Sequence, residues 1–397
     1  MLKRGLLRPE HIDFLAREMA QFHRSIPRAA AESPFGTPEQ VWQNMHENLA
    51  ELAGGEETRL AVAPLVAWAE AEFERLRPTF AARKAAGFVR ECHGDMHLGN
   101  MLLLDAQVMI FDCIEFCDNL RWIDVASEVA FAVMDLEDRS RAELAHRLLN
   151  AYLEHTGDYQ SLAVMQFYLA YRALVRAKVA MIRARQDDTH ANNRRTLLEE
   201  CQGYIELAKR YAARTSPRLV ITFGPSGTGK TTVTQPLLEK LGAVRLRSDL
   251  ERKRMFGLAP LERPAGPRLE ALYSSEATQK TYDQLAALAR IALGGGFPVI
   301  VDATFLKRRY RETFRQLAHE MGVPFTLLEF HTDPATLRER VAQRAAAGND
   351  ASDASLLVLQ QQLASLEPLA ADEQSDAIVC GEPDPFVAAR CDVPPRK

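Results

Sequence analysis

The sequence predicts an α/β protein in two parts: a mainly helical first half, then a second half in which a parallel sheet is flanked by helices. Three observations predict it. The chain has 397 residues, more than one hydrophobic core ordinarily supports. Apolar positions recur at helical spacing over most of the stretch from Ile12 to Tyr211. Beyond Pro217, short apolar runs alternate with amphipathic stretches, the pattern of parallel strands joined by crossover helices.

Taken in order, Ile12, Leu15, Ala16, Met19 and Phe22 share one face of a first helix. Thr37-Pro38-Glu39-Gln40 predicts the start of a second, with a capping hydroxyl, proline at the first helical position and a capping-box glutamine. A third runs from about Ala61 to Ala86 and stops at Gly87. Phe88-Val89-Arg90 reads as a strand, and Met101 to Leu104 with Val108 to Phe111 as a hairpin turning at Asp105-Ala106-Gln107. Helices resume from Trp122 to about Tyr211. The expected division is a first domain over 1–213, a linker over 214–218 and a second domain over 219–397. In the second domain, strands are expected at Leu219 to Phe223, Ala243 to Leu246, Pro298 to Val301 and Phe325 to Phe330, with helices between and after them. The end, Pro394 to Lys397, is expected to fray.

Composition narrows the function. Apolar residues at 47% and charged residues at 26% suit a globular chain able to fill two cores, which argues against disorder. A net charge of −4 supplies no dominant basic field, so wholesale binding to nucleic acid or an anionic membrane is not expected. The amino terminus runs into the charged stretch Arg8 to Asp13 without a signal-peptide core, and no apolar run is long enough to span a bilayer. Cys92, Cys113, Cys117, Cys201, Cys380 and Cys391 form no C-x-x-C pair, which suggests reduced thiols and a cytoplasmic location.

Gly224-Pro225-Ser226-Gly227-Thr228-Gly229-Lys230-Thr231 satisfies G-x-x-x-x-G-K-[ST] in full, between an apolar strand and an amphipathic helix that continues with Thr232. Glycines there let backbone amides converge on phosphate oxygens, and the helix directs its positive dipole end at the same anion. Lys230 is expected to bridge the β- and γ-phosphates of ATP, and Thr231 to ligate Mg²⁺. Asp249 and Arg252 follow the second strand at the carboxyl edge of the sheet, where such folds place ligands. Asp249 suits an acceptor base; Ser248 or Asp249 also suits a helix cap, and the roles can coexist. Asp302 closes the strand Val299-Ile300-Val301, the position of a carboxylate that holds the magnesium shell, or again of a cap. Arg340 and Arg344, four apart, fall on one helical face and can close over a transferring phosphate. Basic runs at Arg245 to Arg254 and Lys307 to Arg311 flank this edge, either as solvated surface or against an anionic acceptor. Tyr273, Glu276 and Tyr282, at helical spacing, are weaker candidates for an acceptor pocket.

These residues resemble the P-loop kinases of the polynucleotide 5′-kinase, zeta-toxin and small-molecule kinase type, an AAA-type ATP-binding domain. The likeness rests on the loop at Gly224 to Thr231, Ser248-Asp249-x-x-Arg252, Val301-Asp302-Ala303-Thr304 and Arg340-x-x-x-Arg344. It implies that Asp249 is the acceptor base and that the two arginines stabilise the transferring phosphoryl group.

A second signature lies in the first half. His93-Gly94-Asp95-Met96-His97-Leu98-Gly99-Asn100 spaces aspartate and asparagine as in a kinase catalytic loop, and Asp112 follows a strand. In that chemistry Asp95 takes the acceptor's proton while Asn100 and Asp112 hold magnesium. The stretch resembles the aminoglycoside phosphotransferase family, and with Asp112 to Phe116, Arg121, Asp124 and Glu128 it resembles a bacterial fusion of such a domain to a P-loop kinase. The resemblance implies a mainly helical kinase-like C-lobe. The departure is at the start: the ninety-two residues before His93 read as helices, without a strand lysine like that of V-A-I-K. Either the sequence is truncated or this half has lost independent ATP binding, so weak or no turnover is expected at Asp95.

The leading expectation is an ATP- and Mg²⁺-dependent kinase that phosphorylates a hydroxyl of a small molecule or nucleotide at the P-loop domain. The alternatives are an ATP-driven switch without an acceptor, and sugar or aminoglycoside phosphorylation at Asp95, which would make the chain bifunctional. A polynucleotide end is a further possible acceptor; a membrane is not an expected partner, and the sequence does not set the oligomeric state.

Overall fold

The computed structural model describes residues 7–104, 107–186, 191–213, 215–264, 266–347 and 352–380. Cys391, the Pro394 to Lys397 end, Arg214 of the expected linker, and Asp105 and Ala106 of the expected turn lie outside these. The chain divides into two compact units, Met1–Arg214 and Thr215–Lys397.

Unit 1 opens with α1 (Pro9–Ser25), α2 (Pro38–Ala53) and α3 (Arg59–Ala85). The apolar face of α1 is buried as the periodicity requires, except that Phe22 stays partly exposed and His23 is buried beside it. Thr37 caps α2 by accepting from the Gln40 amide, but the Gln40 side chain turns outward to Asn44, so only half of the expected capping box forms. Strand β1 (Val89–Glu91) pairs antiparallel with β4 (Trp122–Asp124), and β2 (Met101–Leu104) with β3 (Gln107–Ile110), with the short helix α4 (Asp118–Arg121) before β4. Trp122 to Asp124 is therefore a strand and not a helix start, because its partner lies some thirty residues upstream, beyond any local pattern. Helices α5 (Val125–Asp138), α6 (Ala142–Thr156), α7 (Leu162–Ala184) and α8 (Ala191–Ala212) complete the unit. Residues 125–136 of α5 are buried throughout, and the two ends of β1 and β4 deliver the chain to that core.

Unit 2 is a five-stranded parallel sheet in the order β6-β7-β5-β8-β9. Its elements run β5 (Leu219–Phe223), α9 (Lys230–Leu241), β6 (Val244–Arg247), α10 (Ser248–Met255), α11 (Pro267–Leu272), α12 (Ser275–Gly294), β7 (Val299–Asp302), α13 (Arg308–Met321), β8 (Phe325–Phe330), α14 (Pro334–Ala347), α15 (Leu356–Ser365) and β9 (Ala377–Cys380). All five residues of β5 are buried, as expected of a central strand covered on both faces. Strand β9 was not among the expected strands; it is short and takes its place only by pairing with β8. Parallel strands bring their carboxyl ends to one edge, so the residues after β5, β6 and β7 meet there. Among the described residues no helix is long and apolar enough to cross a membrane.

Candidate active site

The loop between β5 and α9 folds as its glycines dictate. Gly224 has φ of +148°, and a Cβ on it would stand 2.9 Å from the Phe330 carbonyl oxygen, so no other residue fits without displacing backbone. Gly227, at φ +91°, lies under α14, where a Cβ would meet the Leu337 carbonyl at 3.3 Å. Lys230 and Thr231 open α9, and Gly229 precedes them in the left-handed region. The Lys230 ammonium is buried and donates to the carbonyls of Gly224 (2.9 Å) and Pro225 (2.7 Å), arched over the loop. Burial pulls its pKa down to about 8, against the opposing pull of Asp302 and Asp249.

Asp302, at the end of β7, accepts from the Thr231 hydroxyl at 2.6 Å. No helix begins there; the next starts at Arg308, so the capping alternative for Asp302 is excluded and its carboxylate faces the loop. The backbone just beyond is fixed twice over. Thr222 donates to the Ala303 carbonyl at 2.6 Å, and Phe305, at φ +47°, is buried between the rings of Tyr282 and Phe314. A non-glycine residue in that conformation stores strain that the surrounding packing must hold.

Asp249 lies in the first turn of α10, whose cap is Arg247, so neither Ser248 nor Asp249 caps the helix. Arg252 reaches Asp249 through Nη1 at 3.5 Å and lies 4.8 Å from the Tyr273 ring centre. Arg340 Nη1 extends to the Gly227 carbonyl at 3.4 Å, and the charge of Arg344 is felt at Lys230.

These groups share one cavity of about 1070 Å³. Among the described residues its wall includes Ser226, Gly227 and Gly229 to Thr232 of the loop, together with Asp249, Arg252, Asp302, Arg340 and Arg344. Gly224, Pro225 and Thr228 stand behind them: the first two receive Lys230, and the Thr228 hydroxyl donates to Pro225. Tyr273 and Tyr282 also line it. They do so from different elements, since Tyr273 ends α11 and Tyr282 is within α12, and Glu276 instead pairs with Lys280 at the surface.

Two participants had no signal in the sequence. Gln362 of α15 accepts from the Ser226 amide at 2.8 Å, filling with a neutral carbonyl oxygen a position suited to a phosphate oxygen. Buried Lys253 pairs with Asp353 at 3.0 Å and ties the segment before α15 to α10. Each contact spans a hundred residues or more, so no motif reveals it.

The fit to nucleotide and metal rests on this geometry. Converging amides, a lysine and a helix start supply anion donors, while Thr231 and Asp302 offer adjacent hard oxygen atoms suited to Mg²⁺.

In unit 1, Asn100 Nδ2 donates to both the Asp95 carboxylate and the Asp95 carbonyl at 3.0 Å, and His97 Nε2 lies 3.4 Å from the same carboxylate. Burial pushes the Asp95 carboxyl up, but the hydrogen bonds of His97 and Asn100 outweigh it and hold its pKa below the usual range. The Phe111 amide donates to the Asn100 carbonyl at 3.0 Å, which brings exposed Asp112, at φ +64°, beside this loop. Beneath it Glu128, wholly buried, accepts from the amides of His93 (3.2 Å) and Gly94 (2.6 Å) and from His23 (2.9 Å). Asp124 caps α5 and binds Arg83 through two bonds of 2.6 and 2.8 Å. The described residues ahead of His93 form three helices and β1.

The class follows from fold and site: unit 2 is a P-loop domain with kinase-type companions, and unit 1 carries a phosphotransferase-type loop. Residues 3–165 match the phosphotransferase enzyme family and residues 219–369 the AAA domain family, so the chain carries a domain of each, in that order. An uncharacterized protein of Mycobacterium tuberculosis is 29% identical over 355 residues, covering 89% of this chain and 70% of that protein, and its Mycobacterium bovis counterpart matches equally. Among solved structures, a sugar kinase from Janibacter is 24% identical, covering 44% of this chain and 92% of its own, with a TM-score of 0.33. A gluconokinase from Sinorhizobium meliloti is 22% identical, covering 44% and 87%, with a TM-score of 0.28.

Proposed function

We propose that unit 2 transfers the γ-phosphate of ATP to a hydroxyl of a small-molecule or nucleotide acceptor. The observation that carries the reading is the single cavity onto which the loop, Asp302, Asp249, Arg340 and Arg344 open together. Loop amides and Lys230 hold the β- and γ-phosphates, with Lys230 released from the Gly224 and Pro225 carbonyls to do so. Thr231 and Asp302 hold Mg²⁺, which offsets charge across those phosphates. Asp249 accepts the acceptor's hydroxyl proton as the acceptor oxygen bonds to the γ-phosphorus and the bond to the bridging β,γ-oxygen breaks. The products are the phosphate ester and ADP, and the proton leaves Asp249 for solvent. Arg340 and Arg344 neutralise charge on the group in flight.

The reading is tested by ADP release from purified chain with and without acceptor. Acceptor-dependent release that Asp249→Asn lowers by about 10²- to 10⁴-fold is the expected result for a general base. Release that is independent of any acceptor and untouched by Asp249→Asn would instead mark an ATP-driven switch. A second reading, catalysis at Asp95, is favoured by its hydrogen bond from Asn100. It requires that Asp95→Asn, and not Asp249→Asn, abolish turnover. By the first reading the domains are 1–213 and 219–397, with the second as the working one and a small molecule or nucleotide as its acceptor.

A further inference from the structure

Residues 352–365 run along the cavity and are fastened at both ends by polar contacts. At the carboxyl-terminal end Gln362 of α15 accepts from the Ser226 amide of the phosphate loop at 2.8 Å. At the amino-terminal end Asp353 meets the buried Lys253 ammonium of α10 at 3.0 Å, and that ammonium also donates to the Pro260 carbonyl at 3.0 Å. Arg263 lies 3.9 Å from the same carboxylate, and the Tyr273 hydroxyl is bonded to the Asp353 backbone. Ala354, Val358 and Ser365 line the cavity between these two ends.

The seat of α15 is of a different kind. Leu359 is buried against Leu337 and Val341 of α14, and Leu363 packs on the same cluster. That cluster is distinct from the sheet's own, in which Val220, Leu237, Ile300 and Leu328 meet. Apolar contact is non-directional, which leaves α15 freer to turn on α14 than its polar contacts allow. A hydrogen bond is lost once its atoms part beyond about 3.5 Å, so a small turn of α15 releases the Ser226 amide.

We propose that residues 352–365 form an autoinhibitory strap: Gln362 competes with the nucleotide's phosphates for the Ser226 amide, and the Lys253–Asp353 pair sets how firmly the strap is held. The inference rests on nucleotide binding at the loop, as read above, and adds its regulation. One amide proton serves one strong acceptor, so a phosphate oxygen at Ser226 displaces Gln362. The apparent affinity for nucleotide is then the intrinsic affinity scaled by the fraction of chains whose strap is released. Lys253 lies on the helix that carries Asp249, so the strap joins the acceptor's side of the cavity to the phosphate loop.

The test is calorimetric titration of the full chain with the magnesium complex of a non-hydrolysable ATP analogue. Gln362→Ala and Asp353→Asn are each expected to tighten binding by up to about tenfold, the scale of one hydrogen bond. The double variant is expected to gain no more than the stronger single, because both release the same strap. Lys253→Met combined with Asp353→Asn removes the pair without stranding a buried ammonium. It is expected to match Asp353→Asn, and it decides the matter if melting curves show that Asp353→Asn does not fold. Hydrogen exchange in the wild type reads the strap directly: amides over 356–365 are expected to exchange faster once the analogue is bound, while those of the phosphate loop slow. Weaker or unchanged binding in Gln362→Ala or in the pair variants, full additivity of the two singles, or unchanged or slower exchange over 356–365 would overturn the inference while leaving nucleotide binding in place. Absence of binding in the wild type and every variant would overturn the reading of the loop as well.

Discussion

Two loops in this chain carry kinase-type motifs, and they are held in opposite ways. The loop from His93 to Asn100 is braced from within: Glu128 and Asp135 accept its amides, Arg172 donates to the Gly94 carbonyl, and Asn100 and His97 engage Asp95. The loop from Gly224 to Thr231 is held by steric necessity at its glycines, and its polar groups meet one another or Gln362, Asp302, Thr304 and Arg340. In the second, Lys230 bonds to carbonyls of its own loop and Gln362 takes the Ser226 amide. On the function proposed above, the first loop's residues mainly stabilise a fold and the second's bind substrate.

The largest effect that sharpens this comparison is on turnover. Asp249→Asn is expected to remove about 10²- to 10⁴-fold of acceptor-dependent activity while Asp95→Asn leaves most of it, read in the same ADP-release assay. The reverse order would make unit 1 the working site.

Stability supplies the next. Glu128→Ala leaves His23 and two amides facing a buried void, and unit 1 is expected to lose about 3–5 kcal/mol, seen as an earlier melting transition. Burial disfavours the Glu128 carboxylate, but the hydrogen bond and charge of His23, the Gly94 amide and the charge of His93 together outweigh it and lower its pKa. An unchanged melting curve would mean the network beneath the first loop contributes nothing.

Nucleotide affinity should depend on pH through Lys230. Its amine titrates at about 8, and phosphate needs the charged form, so MgADP affinity is expected to fall above that pH, by up to about tenfold per unit. Stability follows the opposite sign: between about 8 and the ordinary 10.5 the unfolded chain binds the extra proton, so this group makes folding more favourable as pH rises through that window. Calorimetric titrations across this range check the first trend and denaturant midpoints the second; a flat affinity profile would remove Lys230 from phosphate binding.

The smallest effect concerns Gln362. Because its oxygen occupies the Ser226 amide, Gln362→Ala is expected to tighten MgADP binding by less than about tenfold, the scale of one neutral hydrogen bond. Weaker binding would make Gln362 a nucleotide contact instead of a stand-in.

What the sequence disclosed, and what it concealed, follows from the range of each interaction. The loop at Gly224 to Thr231 was legible because its glycines, lysine and threonine act within eight consecutive residues, and the central strand because all of its residues are buried. Strand Trp122–Asp124 was misread as helix, and β9 was missed, because both are short and exist only through pairing with distant partners. Capping was a fair alternative for Asp302 by residue type, and only the later start of α13 excludes it. The hold of Gln362 on Ser226 and of Lys253 on Asp353 could not be read at all, since each joins residues a hundred or more positions apart. Tyr273 and Tyr282 reached the cavity wall for a reason other than their spacing: a helix break falls between them.

The central claim is that the amides of Ser226 to Lys230 receive a nucleoside triphosphate. Calorimetric titration of the intact chain with MgATP tests it most directly, comparing wild type with Lys230→Ala and Asp95→Asn. The account predicts saturable heat in wild type and Asp95→Asn and its loss in Lys230→Ala. Absence of heat in wild type, or heat that survives Lys230→Ala and disappears in Asp95→Asn, would contradict it.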